Sequence, residues 1–535
     1  MNGLAVERSS IGDMVGRRTF ASVIGIRNAI LVILIGVASL LVVGKAVSDG
    51  MHRYLSLRYW AYAFPSYFSE VTYGAPRYTY FYDLSLQFMG PPAFGDRAPL
   101  QRLLTEAAAG RLTASGSPRL FPGDEKGTVD FVRAAFALFG IRVESLFFLF
   151  FVLLALSLLV FAATFRHDAP ALLVGLVAVV ALYVAVRAFP VTKELYSVTN
   201  PRAIGSLSFV ALVHLSLFTL RRYPITAANL AGVVFQAMLI VCVISMRTSD
   251  AWQIAALVAI AALVAMRRAP WSERLQVFVV AGITLAFVAA FVVYQTFAYP
   301  KEYFSKNLRT KIFWHNVLIG FAVHPGIAEW YELRLNDASV LKLIMRRLAE
   351  HPTVPPEEVF WQPGEIANGM VKNFVEYDGL CRRAVVDIVT AHPLQTAKLF
   401  LWHKPRLLFR SFEYATGREA HDLDYFYISD QAISLLTYQE REDLGAFFDP
   451  LVPIALVLVF AGCLTAGVAR IREAFDANTC LAIGVIVCAS ILPAFLTYPL
   501  IHVIAGTYWA APLFLYAVVI RAGAELATLW QRRLA

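Results

Sequence analysis

Long apolar stretches alternate with short polar connections over most of the chain. Leu275 to Phe297, for example, contains no charged residue. A run of about 20 apolar residues is long enough to cross a bilayer as a helix. Because backbone groups in hydrocarbon must satisfy one another, helix is the expected structure of each run, and the runs do not alternate as barrel strands do. The pattern predicts about ten transmembrane helices, at 25–47, 143–165, 170–189, 204–220, 225–246, 251–266, 275–297, 450–469, 479–498 and 501–520.

Basic residues are distributed unevenly among the connections, which predicts an orientation. One set of short loops and the C-terminal tail carries most of the Arg: Arg166, Arg221, Arg222, Arg267, Arg268, Arg274, Arg470, Arg472, Arg521, Arg532 and Arg533. The alternate short loops carry only Lys193, Arg202 and Arg247. Since basic residues remain on the cytoplasmic side, both termini are expected in the cytoplasm. The expected location is the bacterial inner membrane.

This orientation places two long segments outside. The predicted division is a cytoplasmic tail at 1–24, a first span at 25–47, an external segment at 48–142, a six-helix block at 143–297, a periplasmic domain at 298–449, C-terminal spans at 450–520 and a cytoplasmic tail at 521–535. The second external segment reads as mostly helical and is interrupted by prolines. The predicted fold is an all-α integral membrane protein with a mostly helical periplasmic domain.

Composition supports the membrane assignment and limits the chemistry. The chain of 535 residues is 58% hydrophobic and 16% charged, with a net charge of +9. Much of the positive excess is Arg at helix ends, so nucleic-acid binding is not expected. Four of the five cysteines lie in apolar runs, so neither a disulfide framework nor a cysteine metal site is indicated. Walker A, GxGxxG, HExxH, CxxC and GxSxG motifs are absent from the sequence.

The first candidate site is the acidic string Gly123-Asp124-Glu125-Lys126-Gly127, just before a predicted helix at Thr128–Phe139. Acidic residues are common at helix N-termini, so capping alone explains the string. The functional alternative is that a carboxylate at the membrane surface acts as general base toward an acceptor hydroxyl. Asp124 is the first choice for this base and Glu125 the second.

A second candidate follows the seventh predicted span. Between Lys301 and His315 the sequence places Lys306, Arg309 and Lys311 together with Trp314. External loops normally carry few basic residues, so this density suggests an anionic headgroup or a lipid-linked phosphate as partner. A solvated helix face paired with Glu302 is the alternative. A third candidate, His502, lies before the last span, where a histidine is more often a packed residue than a catalyst.

The layout and motifs resemble those of the polytopic GT-C glycosyltransferases. In that superfamily an Asp or Asp-Glu motif of the first external loop precedes a helix. Asp124-Glu125-Lys126-Gly127, followed by Val132-Arg133-Ala134-Ala135, is similar. His502, Tyr508 and Pro512 resemble the family's late external turn, although Thr507 replaces its usual Arg and weakens phosphate binding there. The string from Trp314 to Gly320, followed by Pro325 and Gly326, also resembles uncharacterised bacterial members.

The resemblance implies a polyprenyl-phosphate-sugar donor and an inverting transfer to an envelope lipid, glycan or protein. Lys306, Arg309, Lys311, His315 and His502 are then expected at the donor phosphate. A carboxylate could instead hold a divalent cation on that phosphate, which the sequence leaves open. Two alternatives remain, a lipid-linked glycan transporter or flippase and an O-antigen-ligase-like enzyme. Almost uncharged spans disfavour transport, and the acidic motif before the second span favours the glycosyltransferase.

Overall fold

The computed structural model describes residues 25–42, 105, 109, 126–142, 144–188, 204–221, 223–266, 271–298, 312–360, 371–415, 451–498 and 505–534. Within these ranges the chain is helical apart from turns, and its one β-type pairing is the isolated bridge between Phe360 and Val371. The expectation of an all-α fold is therefore confirmed for the described residues.

A helical bundle is built from the apolar runs. Its helices are α1 (Gly25–Val42), α2 (Lys126–Phe139), α3 (Glu144–Phe165), α4 (Ala169–Ala188), α5 (Phe209–Leu220, after a 3₁₀ turn at Gly205–Ser208), α6 (Ala227–Met246), α7 (Trp252–Met266, after a 3₁₀ turn at Thr248–Ala251), α8 (Trp271–Ala298), α16 (Leu451–Ala466), α17 (Val468–Ala474), α18 (Ala477–Leu496) and α19 (Ala505–Leu534). Each predicted span overlaps one of these helices.

Seven helices of the described chain are long and apolar enough to cross a membrane, or up to eight if one bent pair counts as a single span. Shorter apolar helices occupy Ala169–Val184 and Gly205–Leu220. These lengths identify a multi-pass membrane protein. The total of about ten spans stays a prediction.

Two helix ends differ from the sequence-based prediction. Helix α16 ends at Ala466, and the chain turns by 109° into α17, where one continuous span to residue 469 was predicted. The turn lies at Gly467, whose φ of 76° is accessible to glycine without a Cβ clash. Helix α19 continues past residue 520 to Leu534, with Arg521 paired to Glu525 one turn further on.

Helices α4 and α5 form the centre of the bundle. Residues 169–182 of α4 and 209–219 of α5 are buried. Close contacts explain how neighbouring helices reach α4: a Cβ atom on Gly462 of α16 would collide with Leu176, and one on Gly175 would collide with Phe161 of α3. In α8, by contrast, only 17% of the apolar stretch is buried. Small residues thus permit close packing at the centre, as is usual for membrane helices.

One end of the bundle is fastened by ion pairs, and we call it the basic end. Arg221 Nη1 lies 3.1 Å from both carboxylate oxygens of Asp168, and its Nη2 donates to the Glu473 carbonyl at 3.0 Å. On neighbouring elements, Arg472 and Arg521 both pair with Glu525. These contacts join the connection between α3 and α4, the end of α5, α17 and the C-terminal half of α19. We call the opposite end, which contacts the helical domain, the domain end.

A separate helical domain is formed by residues 312–415. Its elements are α9 (Phe313–Phe321), α10 (Pro325–Tyr331), α11 (Asp337–Glu350), α12 (Pro356–Val359), α13 (Phe374–Ala391), α14 (Pro393–Lys398), a π-helical segment (Leu399–His403) and α15 (Lys404–Ala415). Asn336 and Asn373 cap α11 and α13 by accepting backbone N–H groups three residues on. The domain has its own apolar core, which includes Leu318, Ile344 and Ile388. The predicted helical content is confirmed for this part, and its periplasmic location stays a prediction.

Candidate functional site

Most of the predicted site residues lie outside the described part of the chain. These are Asp124, Glu125, Lys306, Arg309, Lys311 and His502. His315 is described, as are the helices that follow the acidic string and the string containing His502.

Helix α2, which follows the acidic string, begins against the domain end of α6. A Cβ atom on Gly127 would overlap the side chain and the backbone carbonyl group of Ser245, so only glycine permits this approach. Further along, α2 buries Phe131, Val132, Ala135 and Phe136, while Leu138 remains 67% exposed. The first turn of α2 is thus fixed beside the connection between α6 and α7.

That connection carries a buried carboxylate, Asp250, which is 5% exposed. Gly205, at the start of the 3₁₀ turn before α5, lies against it: a Cβ atom there would be 2.8 Å and 3.0 Å from the two carboxylate oxygens. The same Cβ atom would be 2.9 Å from the Trp509 ring of α19. Asp250 and the Trp509 ring therefore both lie against Gly205, where α5, α7 and α19 begin.

The start of α19 is fixed by a second glycine contact. A Cβ atom on Gly506 would lie 2.6 Å from the indole of Trp252 in α7. Helices α2, α5, α7 and α19 consequently begin at one end of the bundle. Two of these four helices follow strings that the sequence singles out, the acidic motif before α2 and the segment with His502 before α19.

The helical domain attaches to this end through Lys404. The Lys404 side chain is fully buried, and its ammonium donates to the carbonyl oxygens of Phe495 (2.8 Å) and Thr497 (2.6 Å). These carbonyls lie at the C-terminal end of α18, which carries the negative end of the helix dipole. Burial lowers the pKa of Lys404 to about 7, while the carbonyl acceptors favour the charged amine.

Close backbone packing completes the contact between the domain and the bundle. A Cβ atom on Gly320 of α9 would overlap the Thr497 carbonyl group, so α9 touches the end of α18 directly. The ring centroids of Phe400 and Phe495 are 5.5 Å apart. Tyr498 packs on the core of the domain. Tyr498, the last described residue after α18, thus lies on the domain.

His315 is buried in the domain, and both of its ring nitrogens are engaged. Nδ1 lies 2.7 Å from the Tyr377 hydroxyl, and Nε2 lies 2.9 Å from Asp337 Oδ1. The His315 side chain is 3% exposed, whereas that of Asp337 is 79% exposed. A direct contact between His315 and a phosphate would require one of these partners to be exchanged. Its role at the donor phosphate stays a prediction.

Residues of α13 fix the first turn of α9, which begins two positions after Lys311. Asp378 accepts the backbone N–H of His315 at 3.1 Å, so a carboxylate from α13 caps α9. Burial raises the pKa of Asp378, and the backbone N–H groups of α9 oppose this shift. Burial also raises the pKa of Tyr377, so its hydroxyl remains protonated at neutral pH. The start of α9 is therefore held rigidly on the domain.

Sequence reasoning did not identify Asp250 or Lys404 as site residues. For Asp250 a signal was present, since a carboxylate directly precedes the predicted span at 251–266 in a connection of only a few residues. For Lys404 there was none, because its acceptors are 91 to 93 residues further along the chain. Contacts over such separations cannot be read from local pattern.

The described residues contain no group of three or more His, Cys, Asp or Glu side chains that could hold a metal ion. A divalent cation at Asp124 and Glu125 is untested by this observation, because those residues lie outside the described ranges. Comparison with protein-family models, curated proteins and solved structures finds no match to this chain.

Proposed function

We propose that this protein is an inverting membrane glycosyltransferase. It transfers a sugar from a polyprenyl-phosphate donor to a lipid, glycan or protein acceptor of the cell envelope. The observation that supports the proposal most strongly is the meeting of α2, α5, α7 and α19 at the end of the bundle on which the helical domain is seated. The helix after the acidic motif and the helix after His502 both begin there.

The proposed reaction needs three components. An acceptor hydroxyl oxygen forms a bond to the anomeric carbon while the bond from that carbon to the phosphate oxygen breaks. The hydroxyl proton passes to a carboxylate, and the polyprenyl phosphate leaves with the bonding electrons. The enzyme therefore requires a base, cations near the leaving phosphate and apolar surface for the prenyl chain.

We assign the base to Asp124, with Glu125 as second choice. Lys306, Arg309 and Lys311, together with His315 and His502, are assigned to the donor phosphate. Gly127 supports the assignment of the base, because it fixes the start of α2 beside Ser245. The capping of α9 by Asp378 supports the assignment of the phosphate site, because α9 directly follows the basic run in the sequence.

The proposed location is the inner membrane, with both termini in the cytoplasm and the proposed site facing the periplasm. The asymmetric distribution of Arg along the chain supports this orientation. Reporter fusions at Ala108 and Glu365 are expected to be active only as exported reporters, and a fusion after Arg268 only as a cytoplasmic one. An exported signal after Arg268 would invert the orientation and exclude a periplasmic site.

Asp124→Asn tests the catalytic assignment. A general base contributes about 10²–10⁴ in rate, so the variant is expected to lose transfer almost completely. Asn caps a helix as well as Asp, so a capping role predicts retained activity. Asp130→Asn is the matched control, since Asp130 lies on α2, the helix that follows Asp124 in the sequence, and pairs with Arg133. Full complementation of a deletion strain by Asp124→Asn, Glu125→Gln and the double variant at normal protein levels would falsify the assignment.

A triple Ala variant of Lys306, Arg309 and Lys311 tests the donor site. Each lost charge-assisted contact is expected to cost about 1.5–3 kcal/mol, or roughly ten- to hundredfold in rate or donor affinity. Lys342→Ala with Arg346→Ala provides the control, because these exposed cations of the same domain pair with Glu332. Unchanged turnover of the triple variant at low donor concentration would show that the basic run is a solvated face.

The lipid product separates the glycosyltransferase from its alternatives. Release of a polyprenyl monophosphate during sugar transfer is expected, and mass spectrometry of the lipid fraction detects it. A polyprenyl diphosphate product would instead indicate the chemistry of an O-antigen-ligase-like enzyme. Movement of the intact lipid-linked glycan across vesicle membranes without sugar transfer would indicate a transporter.

A further inference from the structure

One helix of the domain has an unusual apolar surface. Helix α14, the π-helical segment and α15 form one uninterrupted helix, because Lys398, Leu399 and Lys404 at the two junctions all have right-handed helical dihedral angles. Pro405 explains the π-helical segment that precedes it. Proline lacks an N–H group and its ring crowds the carbonyl four residues earlier, and a widened turn relieves this crowding. We call the whole element, residues 393–415, the surface helix.

Large apolar side chains follow one side of the surface helix. Leu394 is 73% exposed, Leu401 78%, Trp402 62% and Phe409 74%. The π-helical turn inserts one extra residue, so the spacing of fifteen residues between Leu394 and Phe409 still returns to the same side. We call these four side chains the apolar stripe. A contiguous exposed stripe of this kind normally marks an interaction surface.

The opposite side of the surface helix attaches it to a membrane-spanning helix. Leu399 and Leu407 pack in the domain, and Lys404 donates to the carbonyls at the end of α18. Phe400, next to Leu401, contacts Phe495 of α18. Because α18 is a candidate membrane span that ends at Leu496, the middle of the surface helix lies at the level where that span leaves the membrane.

The sequence of the surface helix excludes a transmembrane role and suits the membrane surface. Lys398, His403, Lys404, Arg406 and Arg410 occur within thirteen positions, too many charges for a span. Lys398 and Arg406 are exposed beside the apolar stripe. Helices that lie in the interface between headgroups and acyl chains have this composition, with Leu, Trp and Phe on one side and Lys and Arg at the edge of that side.

We propose that the surface helix lies in the lipid leaflet at the domain end of the bundle. The apolar stripe enters the boundary between headgroups and acyl chains, and Lys398 and Arg406 meet lipid phosphates at its edges. The contacts of Lys404 and Phe400 with the end of α18, a candidate membrane span, point to the bilayer as the partner. The domain is thereby held against the membrane both by α18 and by lipid. This inference does not depend on the proposed reaction.

Site-specific photocrosslinking tests the proposal in full-length protein. A benzophenone amino acid is introduced at Leu401 or Trp402, and the protein is reconstituted in vesicles of phosphatidylethanolamine and phosphatidylglycerol. Val386 of α13, which is 49% exposed on the same domain, is the matched control position. Irradiation is expected to give phospholipid adducts at 401 and 402 and none at 386, as detected by mass spectrometry.

The outcomes of the crosslinking experiment separate the partners. Absence of lipid adducts at 401 and 402, or equal adducts at 386, overturns the proposal. Protein–protein crosslinks at 401 and 402 in place of lipid adducts also overturn it, and would indicate that a second copy covers the apolar stripe.

Fluorescence provides a second measurement with a conservative variant. The fluorescence of Trp402 is obtained as the difference in tryptophan fluorescence between the wild-type protein and Trp402→Phe. The difference is needed because the total fluorescence of nine tryptophans responds little to a change at one of them. In vesicles whose acyl chains are brominated near the headgroups, this difference is expected to fall by at least about twofold relative to unbrominated vesicles, as for a side chain at the interface. An unchanged difference signal overturns the proposal even if crosslinking variants fold poorly.

Discussion

The ammonium of Lys404 donates a hydrogen bond to the carbonyl oxygen of Thr497, with an Nζ–O distance of 2.6 Å. This contact joins the helical domain to the end of a membrane-spanning helix across 93 positions of sequence. The ammonium also lies 4.4 Å from the centroid of the Phe400 ring, which covers it from one side. A buried cation that bonds several carbonyls at the C-terminal end of α18 is a specific attachment, because no apolar side chain could satisfy those oxygens.

Lys404→Met is expected to loosen the attachment of the domain while conserving side-chain volume. Loss of a hydrogen bond to a charged group costs about 1.5–3 kcal/mol, and here the carbonyls of Phe495 and Thr497 both lose this donor. The midpoint of thermal unfolding in detergent should fall, and limited proteolysis between α15 and α18 should accelerate. Lys342→Met is the control, because the Lys342 side chain is 79% exposed and its ion pair contributes little. Equal effects of the two variants would contradict the role of Lys404.

Gly320→Ala is expected to separate α9 from the end of α18. The added methyl group would overlap the Thr497 carbonyl group, and overpacking of this kind costs about 1–3 kcal/mol. Gly379→Ala in α13 is the matched change, since a Cβ atom there meets nothing within 4 Å. In a helix interior that change should stabilise by roughly 0.5–1 kcal/mol. Unfolding midpoints that move in opposite directions would confirm both expectations.

Gln236→Leu is expected to destabilise the centre of the bundle. The Gln236 amide accepts from Ser157 Oγ at 2.8 Å and donates to His214 Nδ1 at 3.1 Å, joining α3, α5 and α6. Hydrogen bonds between membrane helices contribute about 0.6 kcal/mol on average, so a loss of about 1–2 kcal/mol follows. The free energy of unfolding in mixed micelles measures it.

Gln253→Leu is the matched control for that experiment. Gln253 of α7 is equally buried, and neither of its amide atoms has a hydrogen-bond partner within the described ranges. Replacing an unsatisfied buried amide by an apolar side chain should be neutral or stabilising. A loss of stability equal to that of Gln236→Leu would show that the Gln236 hydrogen bonds contribute nothing specific.

Acidification is expected to weaken the contact between α10 and the surface helix. The rings of His324 and His403 are 4.7 Å apart, and burial lowers the pKa of both below the ordinary value of 6.5. The folded state therefore binds fewer protons than the unfolded state in this range. The stabilising contribution of this histidine contact is fully present above pH 6.5 and is lost as the pH falls through the lowered pKa values of the folded state. Lys398 and Arg406 lower the pKa of His403 further.

Hydrogen exchange measures this loss at the amides of α10 and the π-helical segment. Protection should fall between pH 7 and pH 5, after correction for intrinsic exchange, and His403→Asn should reduce the fall. His351→Asn, at an exposed position after α11, should leave it unchanged. An identical pH dependence in the wild type and in His403→Asn would contradict the role of the histidine pair.

The positions of the helices could be predicted from the sequence because a membrane helix satisfies its backbone within its own segment. Apolar length therefore sufficed for runs such as Glu144–Phe165 and Ala477–Leu496. The start of α2 was also predicted to within two residues. The turn at Gly467 was missed, since the sequence remains apolar on both sides of the glycine as far as residue 469, and only the positive φ of the glycine redirects the chain.

What the tertiary structure alone decided is which helix ends meet. Asp250 lies beside Gly205 and Trp509, and Lys404 bonds to Thr497, because close packing brings together segments that are far apart in sequence. His315, whose predicted role at a phosphate stays a prediction, has both ring nitrogens engaged by Tyr377 and Asp337, a placement set by α11 and α13. Local hydrophobicity determines where a helix forms, but side-chain volume and hydrogen-bond geometry between distant segments determine its neighbours, and these depend on the whole fold.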